Sequence, residues 1–460
     1  MPVYSYGQVR LPAPYEALCG GIVLIGRNKR MKSSGLSCSI WRFTAISMVA
    51  ALALVFSLAV AIVPTMPAEA HPGTIQVDIN DPGCVASPQG DPYSVVYCDI
   101  QDAIDDADAD DTIIIAPGTY DEHDITINKS LTIQGAGAGV TSVDGQNISC
   151  VFLINVTYTV DMSGLTIQNG NMSAAIGGGI INAGDLILTD CTVSGNTANV
   201  SGGGIYNAGN VTMTNCTISG NTASATATNG SAAVAIGGGI GILGGNGTVT
   251  LTNCTMSGNT ASATATSKDE LAIGGGIGNL GGNVTVTLTN CTISGNTATS
   301  GSAAVAIGGG IYIAAESDVT MTCTIVYGNI ADTDSNIYGT YADIGGESIV
   351  GDPDPLLGPL QDNGGPTETH ALLTGSPAID ACTTDCPPPA TDQRGQPRPA
   401  DGDIDGTYFC DVGAYERQVA VGGIVEPVDR LQILMPWLGL AALMALALAV
   451  VVIMKRRRLA

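Results

Sequence analysis

The sequence predicts an all-β protein built as a solenoid of stacked parallel strands, and three observations point to this class. First, a phrase that opens with GGGI and closes with GN recurs along the chain, separated by spacers of varying length. Second, each copy alternates apolar and polar residues with the period of two that is typical of a strand. Third, aromatic residues are only 4% of the chain while 61 of its 460 residues are Gly, which favours a thin repetitive architecture. The five copies cover residues 177–196, 202–221, 237–259, 274–296 and 308–329.

Each phrase contains two short strands separated by a bend. In the second copy Val211 and Met213 are apolar, and then the phase slips so that Cys216 and Ile218 are the next apolar pair. The slip predicts a bend at Asn215 in the left-handed conformation, which Asn tolerates. The fifth copy reads MTCT and lacks such a residue, so its bend must differ or its cysteine must change face. The equivalent residues of the other copies are Asp190, Asn253 and Asn290.

Successive turns must stack, because one turn alone cannot bury its apolar side. Stacking places equivalent residues above one another and predicts two columns. The spacers 222–236, 260–273 and 297–307 are expected to be loops that bulge from one flank and offer a contact surface. The inward column is predicted at Cys191, Cys216, Cys254 and Cys291, with Leu165 continuing it below. A column of hydrogen-bonded amides is predicted at a turn, at Asn196, Asn221, Asn259, Asn296 and Asn329.

These repeats resemble the coils of the right-handed parallel β-helix of the pectin-lyase-like superfamily, and GGGIYN…NCTISGN resembles the repeats of bacterial surface β-helix proteins. Residues 100–137, which include IQDAIDDADADDTIIIAPGTY, look like the first coils of that fold, with a capping helix over 102–107. The segment 360–416, with LQDNGGPTETHALLTGSPAIDA and CDVGAYE, resembles the choice-of-anchor Q domain. The resemblance implies a β-helix over 71–345 and a Q domain over 346–417, a domain that precedes cell-surface anchors and carries no catalytic activity.

The first of two apolar segments predicts export. Residues 43–63 follow a basic stretch and end in PTMPAEA, a small-residue cleavage site before His71. We therefore expect residues 1–70 to be an N-terminal extension with a signal peptide, and we expect Met31 to be the true start. An uncleaved N-terminal anchor is the alternative.

The second apolar segment predicts a membrane anchor. Residues 433–454 are long enough to span a bilayer as a helix. The basic residues at 455–460 predict a cytoplasmic tail, with the rest of the chain outside and 418–432 as a linker. A processed sorting tail is the alternative, although the chain has no LPxTG motif.

The charge distribution excludes one class of partner. Between His71 and Ile433 the chain has six Lys and Arg against 39 Asp and Glu. Such an acidic surface repels phosphate backbones, so we expect no nucleic-acid binding. The partners that remain are the membrane, through the C-terminal helix, and an extracellular polysaccharide or another cell surface.

Cysteine usage agrees with export. Cys84 and Cys98 flank a short loop and can pair. Two of Cys382, Cys386 and Cys410 can also pair, and the sequence does not say which.

The chain lacks the residues that polysaccharide-cleaving members of the superfamily use. A lyase needs a Lys or Arg base, yet between His71 and Gln393 the only basic residues are Lys129 and Lys268. A glycoside hydrolase needs two carboxylates on one face, and the acids of the repeats share no column in the alignment. The sequence therefore predicts a non-catalytic protein, with a lyase or hydrolase as the alternative.

One motif suggests a metal. ADGDIDG places Asp401, Asp403 and Asp405 at alternating positions before Gly406, as at the start of a calcium loop. The twelfth position is Val412 and not Glu, so a plain polar turn is the alternative. A bound calcium ion would be structural.

The prediction for function is a membrane-anchored cell-surface rod that acts as a scaffold or adhesin. A third hypothesis is an ice-binding surface, because outward Thr pairs form rows that resemble those of β-helical ice-binding proteins. The simpler explanation of these rows is that Thr is favoured on exposed strand faces. The pairs are Thr212/Thr214, Thr250/Thr252, Thr287/Thr289 and Thr320/Thr322.

Overall fold

The computed structural model describes residues 73–86, 91–173, 176–227, 232–244, 247–265, 270–301, 305–315, 317–383, 386 and 389–418. Within these ranges no helix is both long enough and apolar enough to cross a membrane. The predicted signal segment within 1–70, the membrane helix at 433–454 and the tail at 455–460 lie outside the described residues.

Three parallel sheets form the body of the structure. Each coil supplies a strand to sheet 1, then to sheet 2, then to sheet 3, and neighbouring strands in a sheet come from successive coils. This topology is that of a parallel β-helix, so the predicted all-β solenoid of stacked parallel strands is confirmed.

The strands of the three sheets are short, with three to five residues in most coils. In chain order, sheet 1 contains Thr74–Val77, Val96–Tyr97, Thr112–Ile115, Leu131–Gly135, Thr159–Ser163, Asp185–Thr189, Asn210–Thr214, Thr248–Thr252, Thr285–Thr289, Asp318–Thr322 and Tyr341–Ile344. Sheet 2 contains Gly118–Tyr120, Thr141–Asp144, Thr166–Gln168, Thr192–Ser194, Thr217–Ser219, Thr255–Ser257, Thr292–Ser294, Ile325–Tyr327 and Ile349–Val350. Sheet 3 contains Ile125–Ile127, Phe152–Ile154, Ile180–Asn182, Ile205–Asn207, Ile240–Ile242, Ile277–Asn279, Ile311–Ile313 and Ile337–Tyr338.

A helix closes the N-terminal end of the core. Helix α1 covers Ile100–Asp106 and buries Ile100, Ala103 and Ile104. The carboxylate of Glu122 accepts hydrogen bonds from the backbone N–H groups of Ile100 and Gln101, which satisfies two free donors of the first turn. The predicted capping helix over 102–107 is thus present, but it begins at Ile100, two residues before the predicted start. A short 3-10 helix, Pro92–Ser94, precedes it.

Both predicted columns are present. Cys191, Cys216, Cys254 and Cys291 are buried, unpaired thiols, and Leu165 is also buried. In the amide column each side-chain Nδ2 donates to the Oδ1 of the next Asn, over 2.8–2.9 Å along the series. These amides are Asn196, Asn221, Asn259, Asn296 and Asn329.

The predicted left-handed bends are also present. The backbone φ angles of Asp190, Asn215, Asn253 and Asn290 lie between 50° and 56°. In the fifth copy Cys323 itself takes this conformation, with φ of 45°. Cys323 therefore leaves the inward column, and the buried Thr324 takes the vacated place.

The spacers are strands and not the loops expected from the sequence. They form two additional parallel sheets: sheet 4 contains Asn171–Met172, Thr197–Ala198, Thr222–Ala227, Thr260–Ala265 and Thr297–Ser300, and sheet 5 contains Ala233–Ile236, Glu270–Ile273 and Val305–Ile307. A separate core built from buried Ala side chains lies between them. Ala at every second position lets these two small sheets approach closely, so the Ala- and Thr-rich spacers form strands.

The spacer sheets explain a Gly in sheet 3. Gly241 faces outward, where Tyr206 stands in the preceding coil. A Cβ at Gly241 would overlap the backbone N of Gly202 and the hydroxyl of Ser201, and it would lie 2.6 Å from the carbonyl oxygen of Ile236, the last residue of the spacer strand Ala233–Ile236.

We therefore predict that Gly241→Ala lowers the free energy of unfolding by roughly 3 kcal/mol, through overpacking against the backbone. The φ of Gly241 is not positive, so the effect would be steric. Chemical denaturation would measure it. Gly139→Ala is the matched control, since a Cβ there would meet no atom within 4 Å; equal, small losses in both variants would contradict the packing.

The C-terminal segment, residues 346–417, continues the last coil and then folds over sheet 2. Its first strand, Ile349–Val350, still pairs with Ile325–Tyr327, so the β-helix extends past the predicted boundary at 345. An antiparallel hairpin follows, formed by Leu357–Gln361 and Thr369–Leu372.

Candidate functional site

The outer face of sheet 2 is divided into a covered part and an open part. The covered part carries Thr217, Thr255 and Thr292, which are outward-facing yet no more than 1% exposed. The side chain of Gln393 bridges the hydroxyls of Thr217 and Thr255 at 2.9 and 2.6 Å. Thr292 accepts a hydrogen bond from the backbone N–H of Ala414. These bonds fix the C-terminal segment on the β-helix.

Disulfides strengthen this attachment. Cys323, in the β-helix, is bonded to Cys382 in the C-terminal segment, and Cys386 is bonded to Cys410. The expected Cys84–Cys98 bond is confirmed. The Cys323–Cys382 bond was not foreseen, although the missing Asn of the fifth copy was a signal that Cys323 turns outward.

A buried charge network lies inside the C-terminal segment. Three buried carboxylates, Asp392, Asp411 and Glu416, accompany two guanidinium groups, those of Arg394 and Arg398. Desolvation raises the pKa of Glu416 to about 8, and repulsion from Asp411 adds to it. Desolvation likewise raises the pKa of Asp411 to about 6. Three carboxylates thus face two guanidinium groups, and the carboxyl group of Glu416 retains a proton near neutral pH.

This network predicts a loss of stability above neutral pH. Because the pKa of Glu416 is raised above its unfolded value of 4.5, its contribution is full below pH 4.5 and is lost as pH rises to about 8. Desolvation lowers the pKa of His370 from 6.5. The contribution of His370 to stability therefore rises with pH, but only below pH 6.5. We expect the melting temperature to fall by about 2 °C between pH 6.5 and 8.5.

Scanning calorimetry at a series of pH values measures this slope. Glu416→Gln should flatten it, while Glu368→Gln, at an exposed carboxylate, should leave it unchanged. An unaltered slope in Glu416→Gln would assign the pH dependence to other groups.

The open part of sheet 2 forms the floor of a cleft with a volume of about 570 Å³. Thr166, Thr192 and Ser194 line its floor. One wall is the loop 136–140 and the other is the loop 362–368 of the C-terminal segment, which contributes Asp362 and Glu368. The cleft is thus lined by hydroxyls, backbone and two carboxylates.

Among the described residues no Lys or Arg lines this cleft, although Arg394 donates to the Asn363 carbonyl in the loop 362–368 at 3.4 Å. Lys129 donates to the backbone carbonyls of Asp105 and Ala107 at the end of helix α1. Arg394 donates twice to Asp392, stacks on Tyr415 at 3.6 Å and also reaches the Glu416 carbonyl. The remaining two, Arg398 and Arg417, donate to the backbone carbonyls of Gly413 and Gly402.

Two Ser–His groupings resemble catalytic sites but lack the required geometry. His123 Nδ1 lies 2.9 Å from Asp124, and Ser149 donates to the same carboxylate over 2.5 Å. The hydroxyl is therefore bonded to the acid and not to the base that would have to accept its proton. Ser257 Oγ does lie 2.9 Å from His370 Nε2, but both side chains are buried where the C-terminal segment packs on sheet 2.

The predicted calcium motif is rearranged in the structure. The carboxylates of Asp380, Asp401 and Asp403 come within 4.8 Å of one another. Asp405 instead accepts from the N–H and hydroxyl of Thr407 in its own turn. Asp380 Oδ1 is buried and has no hydrogen-bond partner among the described residues. Three hard oxygen donors, one of them unsatisfied, fit calcium, so Asp380 replaces Asp405 in the candidate ligand set.

The predicted Thr rows are in register on the outer face of sheet 1. Thr212 pairs with Thr250, then Thr287 and Thr320 follow in the same column. A second column contains Thr214, Thr252, Thr289 and Thr322. These side chains are exposed or half-buried, so this array faces solvent.

Comparisons with known proteins add little beyond the fold. No model of a known protein family matches the chain, and no curated protein sequence matches it. Among solved structures, pectate lyase Pel9A is 15% identical with a TM-score of 0.36, covering 75% of this chain and 96% of that one. A pectin methylesterase from carrot is 15% identical with a TM-score of 0.33, covering 59% and 83%. Pectin methylesterase PemA from Erwinia chrysanthemi is 14% identical with a TM-score of 0.32, covering 58% and 80%.

Similarities this distant carry no conclusion about activity. The assignment as a parallel β-helix depends on the strand register of the chain itself. The identification of 346–417 as a choice-of-anchor Q domain stays a prediction.

Proposed function

We propose that this protein is a non-catalytic rod of the cell surface that contacts a polysaccharide in the open cleft on sheet 2. The observation that carries the proposal is the lining of the cleft, which offers hydroxyls and two carboxylates but no basic group among the described residues. Such a lining can hydrogen-bond to sugar hydroxyls. It supplies no Lys or Arg side chain to act as the base that abstracts a proton in a lyase reaction.

Export and anchoring are part of the same proposal. The apolar segment 43–63 with its small-residue site would deliver the chain, and residues 433–454 with the basic tail would hold it in the membrane. Three disulfides support the proposal, because such bonds persist in oxidising compartments outside the cytosol.

A glycan array probed with the purified full-length chain tests the cleft. Ser194→Arg places a long charged side chain on the floor of the cleft. We expect this variant to lose binding to the glycans that the unmodified chain binds on the array. Thr287→Arg, on the outer face of sheet 1, is the matched control and should bind normally. Equal binding by both variants would place the contact elsewhere.

Calcium is proposed as a structural ion held by Asp380, Asp401 and Asp403. Sites of this kind outside cells bind with dissociation constants of roughly 0.1–1 mM. Addition of millimolar calcium should therefore raise the melting temperature by about 2 °C, by binding only the folded state. Asp403→Asn should remove this rise, while Asp405→Asn should keep it; a rise that survives in Asp403→Asn would exclude this ligand set.

A second candidate function, ice binding, is favoured by one observation, the in-register Thr array on sheet 1. Thermal hysteresis and inhibition of ice recrystallisation would test it. Activity that is lost in Thr250→Lys and kept in Ser194→Arg would assign the function to sheet 1. Absence of activity in the unmodified chain would exclude it.

A further inference from the structure

A pair of stacked tyrosines ends sheet 3. The rings of Tyr312 and Tyr338 lie 5.0 Å apart between centroids, with an angle of 3° between their planes. Their strands pair in parallel, and Ile337–Tyr338 is the last strand of sheet 3. Within sheet 3 no further strand among the described residues pairs with its outer edge, so no strand of this sheet covers the face of Tyr338 that points away from Tyr312. Tyr338 is 38% exposed.

The core does not require an aromatic residue at this place. The position faces outward, and the two coils before Tyr312 hold Gly241 and Gly278 in the same column. Aromatic residues are only 4% of the chain. The parallel stack restricts the ring of Tyr338 to one orientation, which lowers the entropy cost of binding a flat ligand against it.

A groove lies beside the exposed ring. It has a volume of about 380 Å³. The ring of Tyr338 contributes to its lining, and Ser317, Asp334 and Thr340 supply polar groups. An aromatic face beside several polar groups is a combination that can orient a small polar ligand.

We propose that Tyr338 is the stacking platform of a binding site for one neutral hexopyranose ring of a glycan. A pyranose has a face of C–H groups that packs on an aromatic ring, and equatorial hydroxyls that hydrogen-bond to a carboxylate such as Asp334. The charge of the molecule selects among sugars, because the formal charge of −25 and the exposed Asp334 repel uronates and sulfated sugars. The site is separate from the cleft on sheet 2.

Titration of the purified full-length chain with a neutral β-linked glucose tetrasaccharide, by calorimetry, tests this inference. Tyr338→Ala should weaken binding about tenfold or more, while Tyr338→Phe should bind as the unmodified chain does. Tyr341→Ala removes another exposed tyrosine of the last coil and should leave affinity unchanged.

Three results would overturn the inference. The first is equal affinity of Tyr338→Ala and the unmodified chain, and the second is tighter binding of a galacturonate tetrasaccharide. The third is a change of oligomeric state in Tyr338→Ala without a change in sugar affinity, which would make the tyrosines an interface between two copies. Ser194→Arg separates the two sites: it should abolish binding in the cleft and leave the affinity at Tyr338 intact.

Discussion

Cys254→Asp is expected to prevent the chain from folding. Cys254 is 2% exposed and lies in the inward column between Cys216 and Cys291. Its thiol donates to the backbone carbonyls of Met213 and Thr252, at 3.5 and 3.2 Å. A carboxylate there would be buried against the two carbonyl oxygens to which the thiol now donates. The cost of an unpaired buried charge is roughly 3–5 kcal/mol or more.

The matched control is Cys254→Ala, which removes the thiol without adding charge. It should lower the free energy of unfolding by roughly 1–2 kcal/mol, through a small cavity. Circular dichroism and calorimetry of the two variants separate the effects. A folded Cys254→Asp with unchanged melting temperature would mean that the cysteine column does not face the core.

Asn259→Asp is the second variant with a large expected effect. The amide of Asn259 makes four hydrogen bonds: Nδ2 donates to Ile218 O at 2.9 Å and to Asn296 Oδ1 at 2.8 Å, and Oδ1 accepts from the N–H and Nδ2 of Asn221. Aspartate keeps the acceptor but loses both donors, and its second oxygen would face two other oxygens. We expect a loss of roughly 3 kcal/mol, because each unsatisfied buried group costs 1–3 kcal/mol.

Asn147→Asp provides the comparison, since Asn147 is exposed in a left-handed turn. It should change the free energy of unfolding by less than about 0.5 kcal/mol. Equal effects at the two positions would contradict the amide column. Denaturant titration of both variants at one pH measures the difference.

The repeats allowed the body of the fold to be predicted in detail. A phase slip after Met213 is a local signal of a bend, and identical spacing from the sheet 1 strand to the final Asn of each phrase fixes the register between coils. For this reason the positions of Cys216, Asn221 and Asn215 could be predicted from the sequence. For the fifth copy the same alignment left open a different bend or a change of face at Cys323, and the structure shows Cys323 in the bend itself.

The spacers and the C-terminal segment could not be predicted in the same way. Ala, Ser and Thr alternate in TASATA, but small residues give a weak hydrophobic contrast, and the strands are stable only because two such sheets pack together. The cleft depends on where the loop 362–368 lies across sheet 2 from the loop 136–140. These two walls come from segments more than 200 residues apart, for which the sequence contains no repeat. Asp380 is likewise distant from the acidic motif that it joins.

Release of products from bound polysaccharide is the measurement that tests the central claim most directly. The purified full-length chain would be incubated with neutral and acidic polysaccharides, with and without calcium, while unsaturated and reducing ends are followed. A non-catalytic rod predicts binding to at least one polysaccharide and no new ends above the level without protein. Release of unsaturated or reducing ends, with or without calcium, would contradict the claim and identify an enzyme.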